Sequence, residues 1–325
     1  MTRLNELRLI ARVAQMYHVE HQRQSTIASH LRISQATISR MLKRAQEEEI
    51  VRTTVVSPSG IYSDLEEGLR LKYDIKEAIV VECSEDRDGA IMSRIGEAAA
   101  HFVEATLQPD EIIGVSSWSE TVLKMVENIH PLKLGRAKYV VQTLGGMGDP
   151  TVQMHANHLT TRLAKLTGAE PRMLSAPGVA QSREAKLVLL GDSYLRATMD
   201  LFSKITLAIV GVGTVAPSDM LARSGNVFTS HELSAVQEAG GTGDISLRFF
   251  DAHGNPIKSA LDDRVIGMTL EELAKVDRVI AVAGGHSKTP AIHGALKSKV
   301  IDLLITDKFT AERLVTEAIK HDEGD

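Results

Sequence analysis

Six short apolar runs recur along the chain, at residues 78–82, 112–116, 139–144, 205–210, 279–283 and 301–306, with helical stretches between them. Several end directly in small residues: Ser116, Gly145-Gly146, Gly211-Val212-Gly213 and Gly284-Gly285. Strands that are apolar throughout need both faces of their sheet covered. Their alternation with amphipathic helices therefore predicts a mainly parallel α/β sheet. Ligands of such sheets sit beyond the carboxyl ends of the strands, which nominates these glycine- and serine-rich turns as a pocket rim.

The turn Gly114-Val115-Ser116-Ser117-Trp118-Ser119-Glu120-Thr121 carries the most chemistry. A strand runs into serines and then opens a helix from Glu120 to Asn128. The free amides and positive end of that helix suit an anion, and Ser116, Ser119 and Thr121 add hydroxyls. Trp118, the single tryptophan, fits either the wall of a sugar site or the core, and Ser119 fits either a ligand or a helix cap. The segment Gly211-Val212-Gly213-Thr214-Val215-Ala216 has the spacing of a dinucleotide fingerprint. No second strand ending in an acid follows at about 20 residues, so these glycines read as a tight turn. No phosphate-binding G-x-x-x-x-G-K-[ST] loop occurs.

The first 52 residues are different in kind. They hold nine Lys/Arg against five Glu, a net of +4, and the whole chain carries −5, leaving −9 on the remainder. A basic head on an acidic body points to a polyanion met by the head alone. Leu7, Ile10, Ala11, Ala14 and Tyr17 make one helical stripe. A second helix spans residues 24–31, and a third runs from Gln35 to about Glu48 with Ser34 as its N-cap. The order small residue, Leu, turn, Ile, Ser, helix is that of a helix-turn-helix, with Ile27, Ala28, Leu31, Ile33, Ile38 and Leu42 as core. Arg32 stands where glycine is common, at a cost of roughly 1 kcal/mol for a left-handed backbone. On the exposed face, Gln35, Ala36 and Thr37 are placed to read bases, and Ser39, Arg40, Lys43 and Arg44 to clamp phosphates. A β-branched run at 50–56 predicts a strand, and Ser57-Pro58-Ser59-Gly60 breaks structure before a linker helix at 61–73 striped by Leu65 and Leu69, with Tyr62 and Tyr73.

Nothing in the chain marks export. No apolar run approaches the ~18 residues of a membrane span, and the N-terminus carries Arg3, Glu6 and Arg8 without a signal-peptide core. The one cysteine, Cys83, rules out an internal disulfide or a cysteine metal cluster. The histidine pairs His18/His21 and His155/His158 lack a carboxylate-rich setting, so packing or surface roles are expected rather than metal binding. A cytoplasmic protein without cofactor or metal follows.

Taken together, these segments resemble the SorC family of bacterial sugar-responsive regulators, within the wider DeoR-type group. The matching residues are Gln24 to Ala45, Gly114 to Thr121, Leu144-Gly145-Gly146, Ala176-Pro177-Gly178, Ala208 to Gly213, and Gly243-Asp244-Ile245 with Phe249-Phe250-Asp251. They continue through Arg264 to Gly267, Val282 to Gly285, Lys288 to Ile292 and Leu304 to Asp307. The resemblance implies a Rossmann-like effector domain similar to sugar-phosphate isomerases but used as a sensor, and homo-oligomers, tetramers in particular. It places an effector phosphate at Ser116, Trp118, Ser119, Glu120 and Thr121, adds Gly145 and Gly146, and brings Asp244 and Lys288 to sugar hydroxyls. By themselves Asp244 reads equally as a turn or cap residue and Lys288 as a solvated helix start. The family commonly has Trp-Gly where this chain has Trp118-Ser119, which keeps a neutral polyol or unphosphorylated sugar open beside a sugar phosphate.

The expected organisation is a helix-turn-helix DNA-binding domain at 1–57, a linker helix at 58–75 and an α/β effector-binding and oligomerisation domain at 76–325. The expected function is an operator-binding regulator of a carbohydrate or polyol operon, not an enzyme. The alternative is a sugar-phosphate isomerase or aminosugar deaminase fused to a DNA-binding head, with Asp244 as base and Lys288 as its partner.

Overall fold

The computed structural model describes residues 3–51, 58, 60–132 and 137–321. They fall into two compact units, Met1–Pro58 and Ser59–Asp325. The first contains three helices, α1 (Arg3–His18), α2 (Gln24–Leu31) and α3 (Gln35–Glu47). Val13, Met16, Ile27, Ala28, Ile38 and Leu42 form its core, with Leu31 and Ile33 half-buried against it. Arg32 is left-handed at φ 53°, ψ 42° and closes α2, and Ile33 N–H donates to the Ala28 carbonyl at 3.1 Å. Ser34 is extended, and its Oγ accepts from Thr37 N–H at 3.1 Å, satisfying an amide that α3 leaves free. Two residues thus turn the chain from one helix into the next. The α1 stripe is shifted from expectation. Ile10, Val13, Ala14 and Met16 are buried while Ala11 and Tyr17 are exposed, because α1 packs against both α2 and α3 and fills two contacts rather than one. The strand expected at 50–56 lies, from residue 52 on, outside the described residues, and residues 50–51 form a bend.

In the second unit α4 (Ser63–Tyr73) leads into β1 (Glu77–Val81), α5 (Asp88–Thr106), β2 (Glu111–Val115), α6 (Glu120–Asn128), β3 (Ala137–Gln142), α7 (Pro150–Thr167) and β4 (Glu170–Arg172). There follow α8 (Arg183–Leu189), α9 (Ser193–Met199), β5 (Leu207–Val210), β6 (Gly213–Thr214), α10 (Asp219–Ser224), α11 (Ser230–Glu238), β7 (Gly241–Ile245) and β8 (Arg248–Asp251). The chain closes with α12 (Leu270–Leu273), β9 (Arg278–Val282), α13 (Thr289–Lys297), β10 (Leu303–Asp307) and α14 (Lys308–His321). Seven strands pair in parallel in the order β1-β10-β9-β5-β2-β3-β4, while β6-β7-β8 form a small antiparallel sheet. Successive residues of a strand face opposite ways, so Ala208, Val279, Ala281 and Leu304 meet α4, α13 and α14 through Leu69, Ile292 and Leu314. Ile209, Ile280, Val282 and Ile305 meet α5, α6 and α7 through Ile91, Val122 and Leu159. Each fully buried Val, Leu or Ile among them contributes roughly 2 kcal/mol relative to exposure.

The chain moves outward from β2 to β3 and β4, and in the opposite direction from β5 to β9 and β10. Strand order reverses at the β2–β5 border, and the carboxyl ends there diverge into a crevice. The helix expected as a linker belongs to this unit. Leu69 and Tyr73 of α4 are fully buried, Tyr62 and Leu65 partly so, and the Tyr73 hydroxyl lies 2.8 Å from Nδ1 of His293 on α13. At the start of α4, Tyr62 donates to Glu82, which also receives the Lys308 ammonium. Among the described residues no helix is long and apolar enough to cross a membrane.

Candidate effector cleft and recognition helix

A cleft opens where β2 and β5 end. Ser116 N–H donates to the Ile209 carbonyl at 3.3 Å and joins the two strand ends. Ser119 then caps α6, its Oγ accepting from Val122 N–H at 3.3 Å. Trp118 belongs to the core and also lines the cleft. Its indole is buried in an apolar cluster with Leu144 and Phe249, its Nε1 donates to the Gly145 carbonyl at 2.8 Å, and it also lines the cleft with Ser116, Ser119 and Glu120.

The opposite wall is built on Gly211-Val212-Gly213. A Cβ on Gly211 would overlap Ser119 Oγ, and one on Gly213 would overlap Asp244 Oδ1. These glycines make room for two polar side chains of the same protein, where a dinucleotide fold would bring a pyrophosphate.

Asp244 is the last residue but one of β7, before a two-residue hairpin whose central residues, Ser246 and Leu247, have φ of 54° and 63°. Its Oδ2 accepts from Leu247 N–H at 2.7 Å. The aspartate is therefore both a turn residue and a wall of the cleft. Burial pushes its pKa up to about 6, with the Leu247 amide and the Lys288 charge pulling the other way. Lys288 enters from the N-cap of α13. Among the described residues its ammonium has no hydrogen-bond or ion-pair partner. The Ser246 hydroxyl donates to Ser116 at 3.4 Å and ties the two walls together.

Six of the nine residues expected at this site therefore line one cleft: Ser116, Trp118, Ser119, Glu120, Asp244 and Lys288. Thr121, Gly145 and Gly146 fall outside the lining. Thr121 is buried within α6. Gly145 and Gly146 bond through their amides to Ile266 and Leu174, and a Cβ on either would overlap Pro177 or Gln142. Gly145 backs the tryptophan, and Gly146 packs on Gln142. Ser218, Ser246 and Thr214 also line the cleft and were not anticipated. Ser218 carries a readable signal as the N-cap of α10. Ser246 carries none, since its hairpin turn is Ser-Leu instead of the Asn-Gly that usually marks one.

On the first unit Gln35, Ala36, Ser39, Arg40 and Lys43 are exposed along α3. Thr37 is half-buried, its hydroxyl 2.8 Å from Ser34 Oγ and within reach of Arg40. Arg44 differs from expectation. Glu48 at 2.7 Å and Glu6 of α1 hold its guanidinium and keep its pKa above the usual arginine value. Its charge is already engaged within the head.

A helix-turn-helix unit joined to a parallel sheet with this cleft is the layout of a sugar-binding transcriptional regulator. The family described as "Putative sugar-binding domain" matches residues 58–316, and the chain belongs to it, within the SorC/DeoR-type regulators. It is 32% identical over 304 residues, covering 94% of this chain and 96% of the other, to the deoxyribonucleoside regulator of Bacillus subtilis (strain 168). The fold is similar to the full-length sorbitol operon regulator SorC from Klebsiella pneumoniae, with TM-score 0.72 and 28% identity over 95% of this chain and 99% of that one. The sugar-binding domain of the transcriptional regulator DeoR from Pseudomonas syringae pv. tomato aligns at TM-score 0.63 and 36% identity, over 79% of this chain and 100% of that one. These relatives are transcriptional regulators by name, which favours the regulator over the isomerase or deaminase alternative.

Proposed function

We propose that this regulator binds operator DNA through α3 and that a small polyhydroxylated effector in the β2–β5 cleft changes that binding. The observation that carries the reading is Asp244. A buried carboxylate faces a crevice lined by serine hydroxyls and a lysine that has no hydrogen-bond or ion-pair partner among the described residues, at the switch point where α/β sheets hold ligands. A carboxylate accepts from sugar hydroxyls and an ammonium donates to a sugar or phosphate oxygen. The effector's hydroxyls are assigned to Asp244, and its terminal or phosphate oxygen to Lys288, Ser116 and the α6 amides beside Ser119. That regulators named for a deoxyribonucleoside and for a sorbitol operon are similar over nearly the whole chain supports a sugar or polyol here.

In the head, Gln35, Ala36 and Thr37 read base edges, and Ser39, Arg40 and Lys43 hold phosphates. Arg44 adds a phosphate contact only by exchanging Glu6 and Glu48 for it. Homo-oligomers, tetramers in the family pattern, would set the heads on repeated half-sites about one helical turn apart or multiples of it.

The test is fluorescence anisotropy on DNA from upstream of the protein's own gene and neighbouring operon, at fixed salt, against sugars, polyols and their phosphates. One compound should shift the affinity in the wild type and have no effect on Asp244→Ala, whose affinity for DNA alone is retained. An equal shift in Asp244→Ala would remove the cleft from the reading.

A further inference from the structure

We propose that Asp307, at the carboxyl end of β10, is a positioning residue for the effector cleft, holding the turn that delivers Lys288. The proposal rests on the reading of the cleft as the effector site.

Asp307 is fully buried, and among the described residues its partners are neutral donors only. A buried carboxylate without a cation is costly unless each oxygen accepts hydrogen bonds. Oδ1 accepts from Thr310 N–H at 3.0 Å, the ordinary work of a cap at the start of α14. Oδ2 is turned to another element. It accepts from the Thr310 hydroxyl at 2.5 Å and from Gly285 N–H at 3.3 Å, and the same amide reaches Thr310 Oγ1 at 2.8 Å.

The turn from Gly284 to Lys288 is shaped around this carboxylate and a second one. A Cβ on Gly284 would lie 2.5 Å from Asp307 Oδ2, and one on Gly285 would lie 2.6 Å from Asp88 Oδ1. Gly285 itself adopts φ 108°, ψ 150°, a backbone region open essentially to glycine alone. Asp88 Oδ2 accepts from the Ser287 hydroxyl at 3.2 Å, and Thr289 Oγ1 donates to the Gly285 carbonyl at 3.3 Å. Both flanks of the turn are fixed, so the backbone from which the lysine reaches the cleft has one position. A flexible four-carbon stem gains directionality only from such a fixed base.

An N-cap alone does not require an acid, because asparagine caps as well as aspartate. What the site requires is a second accepting oxygen, which aspartate has and asparagine lacks. In Asp307→Asn the cap can stay with Oδ1, while the amide NH2 meets Gly285 N–H donor to donor.

The test uses the full-length protein with Asp307→Asn, Thr310→Val and Lys288→Ala. Hydrogen exchange of the segment 284–288 should be at least about tenfold faster in Asp307→Asn and in Thr310→Val, with the α14 amides unchanged. Titration with 2-deoxyribose 5-phosphate, sorbitol and erythritol should show the affinity of whichever binds the wild type falling about tenfold in Asp307→Asn. Affinity for DNA without ligand should stay as in the wild type. In the Lys288→Ala background the same substitution should cost nothing further, because the two residues act through one contact. Wild-type exchange at 284–288 in both variants, or an equal loss of affinity in the Lys288→Ala background, overturns the proposal. If none of the three compounds binds the wild type, the choice of effector fails, and the exchange measurement still decides whether Asp307 holds the turn.

Discussion

Gly213 and Asp244 face each other across the antiparallel β6–β7 pair, and Asp244 Oδ1 takes up the space where a Gly213 side chain would begin. The carboxylate that faces the cleft is thus placed by the absence of a methyl group on the neighbouring strand.

Gly213→Ala should therefore push Asp244 out of place. The overpacking should lower stability by about 1–3 kcal/mol in urea unfolding, and the effector response should disappear while DNA binding without effector remains. A variant that is destabilised but still responds at wild-type concentrations would show that Asp244 tolerates displacement.

The pKa of Asp244 gives a pH dependence with a definite sign. Its folded pKa of about 6 lies above the ~3.9 of an unfolded aspartate. Folding therefore gains from the protonated group in full below pH 4 and loses that gain as pH rises through 6, by on the order of 3 kcal/mol. Asp244→Asn removes the titration, so its melting temperature relative to the wild type should climb between pH 4 and pH 6.5 and then level off. Effector affinity, which needs the carboxylate as acceptor, should fall in the wild type as pH drops below 6. A flat difference in melting temperature across this range would show that the group ionises at its ordinary value.

On the head, Arg40→Ala and Lys43→Ala should each weaken binding to all DNA sequences and reduce the slope of log affinity against log salt by about one. Arg44→Ala should change that slope less, because Glu6 and Glu48 already engage its charge, and should instead lower the melting temperature of the head. Equal salt slopes for all three variants would show that Arg44 leaves its internal partners on DNA.

Trp118 supplies a probe at no cost in labelling. It is the single tryptophan and lines the cleft while donating to the Gly145 carbonyl. Binding of an effector should shift or quench the whole tryptophan emission, and Asp244→Ala should abolish the change. An effector that alters DNA binding without moving this emission would have to bind elsewhere.

Much of this was readable in the residues. Apolar runs between helical stretches announced the parallel sheet because strands buried on both faces leave no polar alternation to confuse them. Ser34 announced the turn of the head as a helix cap and Ala28 as a small residue under a crossing helix, while Arg32, where glycine is common, takes the left-handed position at a cost. The β6–β8 sheet was not readable. Gly241-Thr242-Gly243-Asp244 contains the residues that strands ordinarily avoid, and it pairs because its glycines admit close neighbours, Ala291 lying 2.6 Å from where a Gly243 Cβ would stand. β4, Glu170-Pro171-Arg172, has no apolar run at all and is placed by its pairing with β3. For the site, local signals found Ser116 and Ser119, whereas the part played by Asp244 depended on a strand pairing that only the folded chain supplies.

The glycine wall also bears on how the cleft can diverge. The space at Gly211 is filled by Ser119 of the opposite wall and that at Gly213 by Asp244 of the neighbouring strand, so the first mutation at either position collides before it can create a new contact. The serines at 116, 218 and 246 already carry side chains into the cleft, so an exchange there meets no such first collision. Descendants of this protein that come to answer a different ligand should therefore vary at the serines and keep the two glycines, so that one half of the cleft drifts while the other stays fixed.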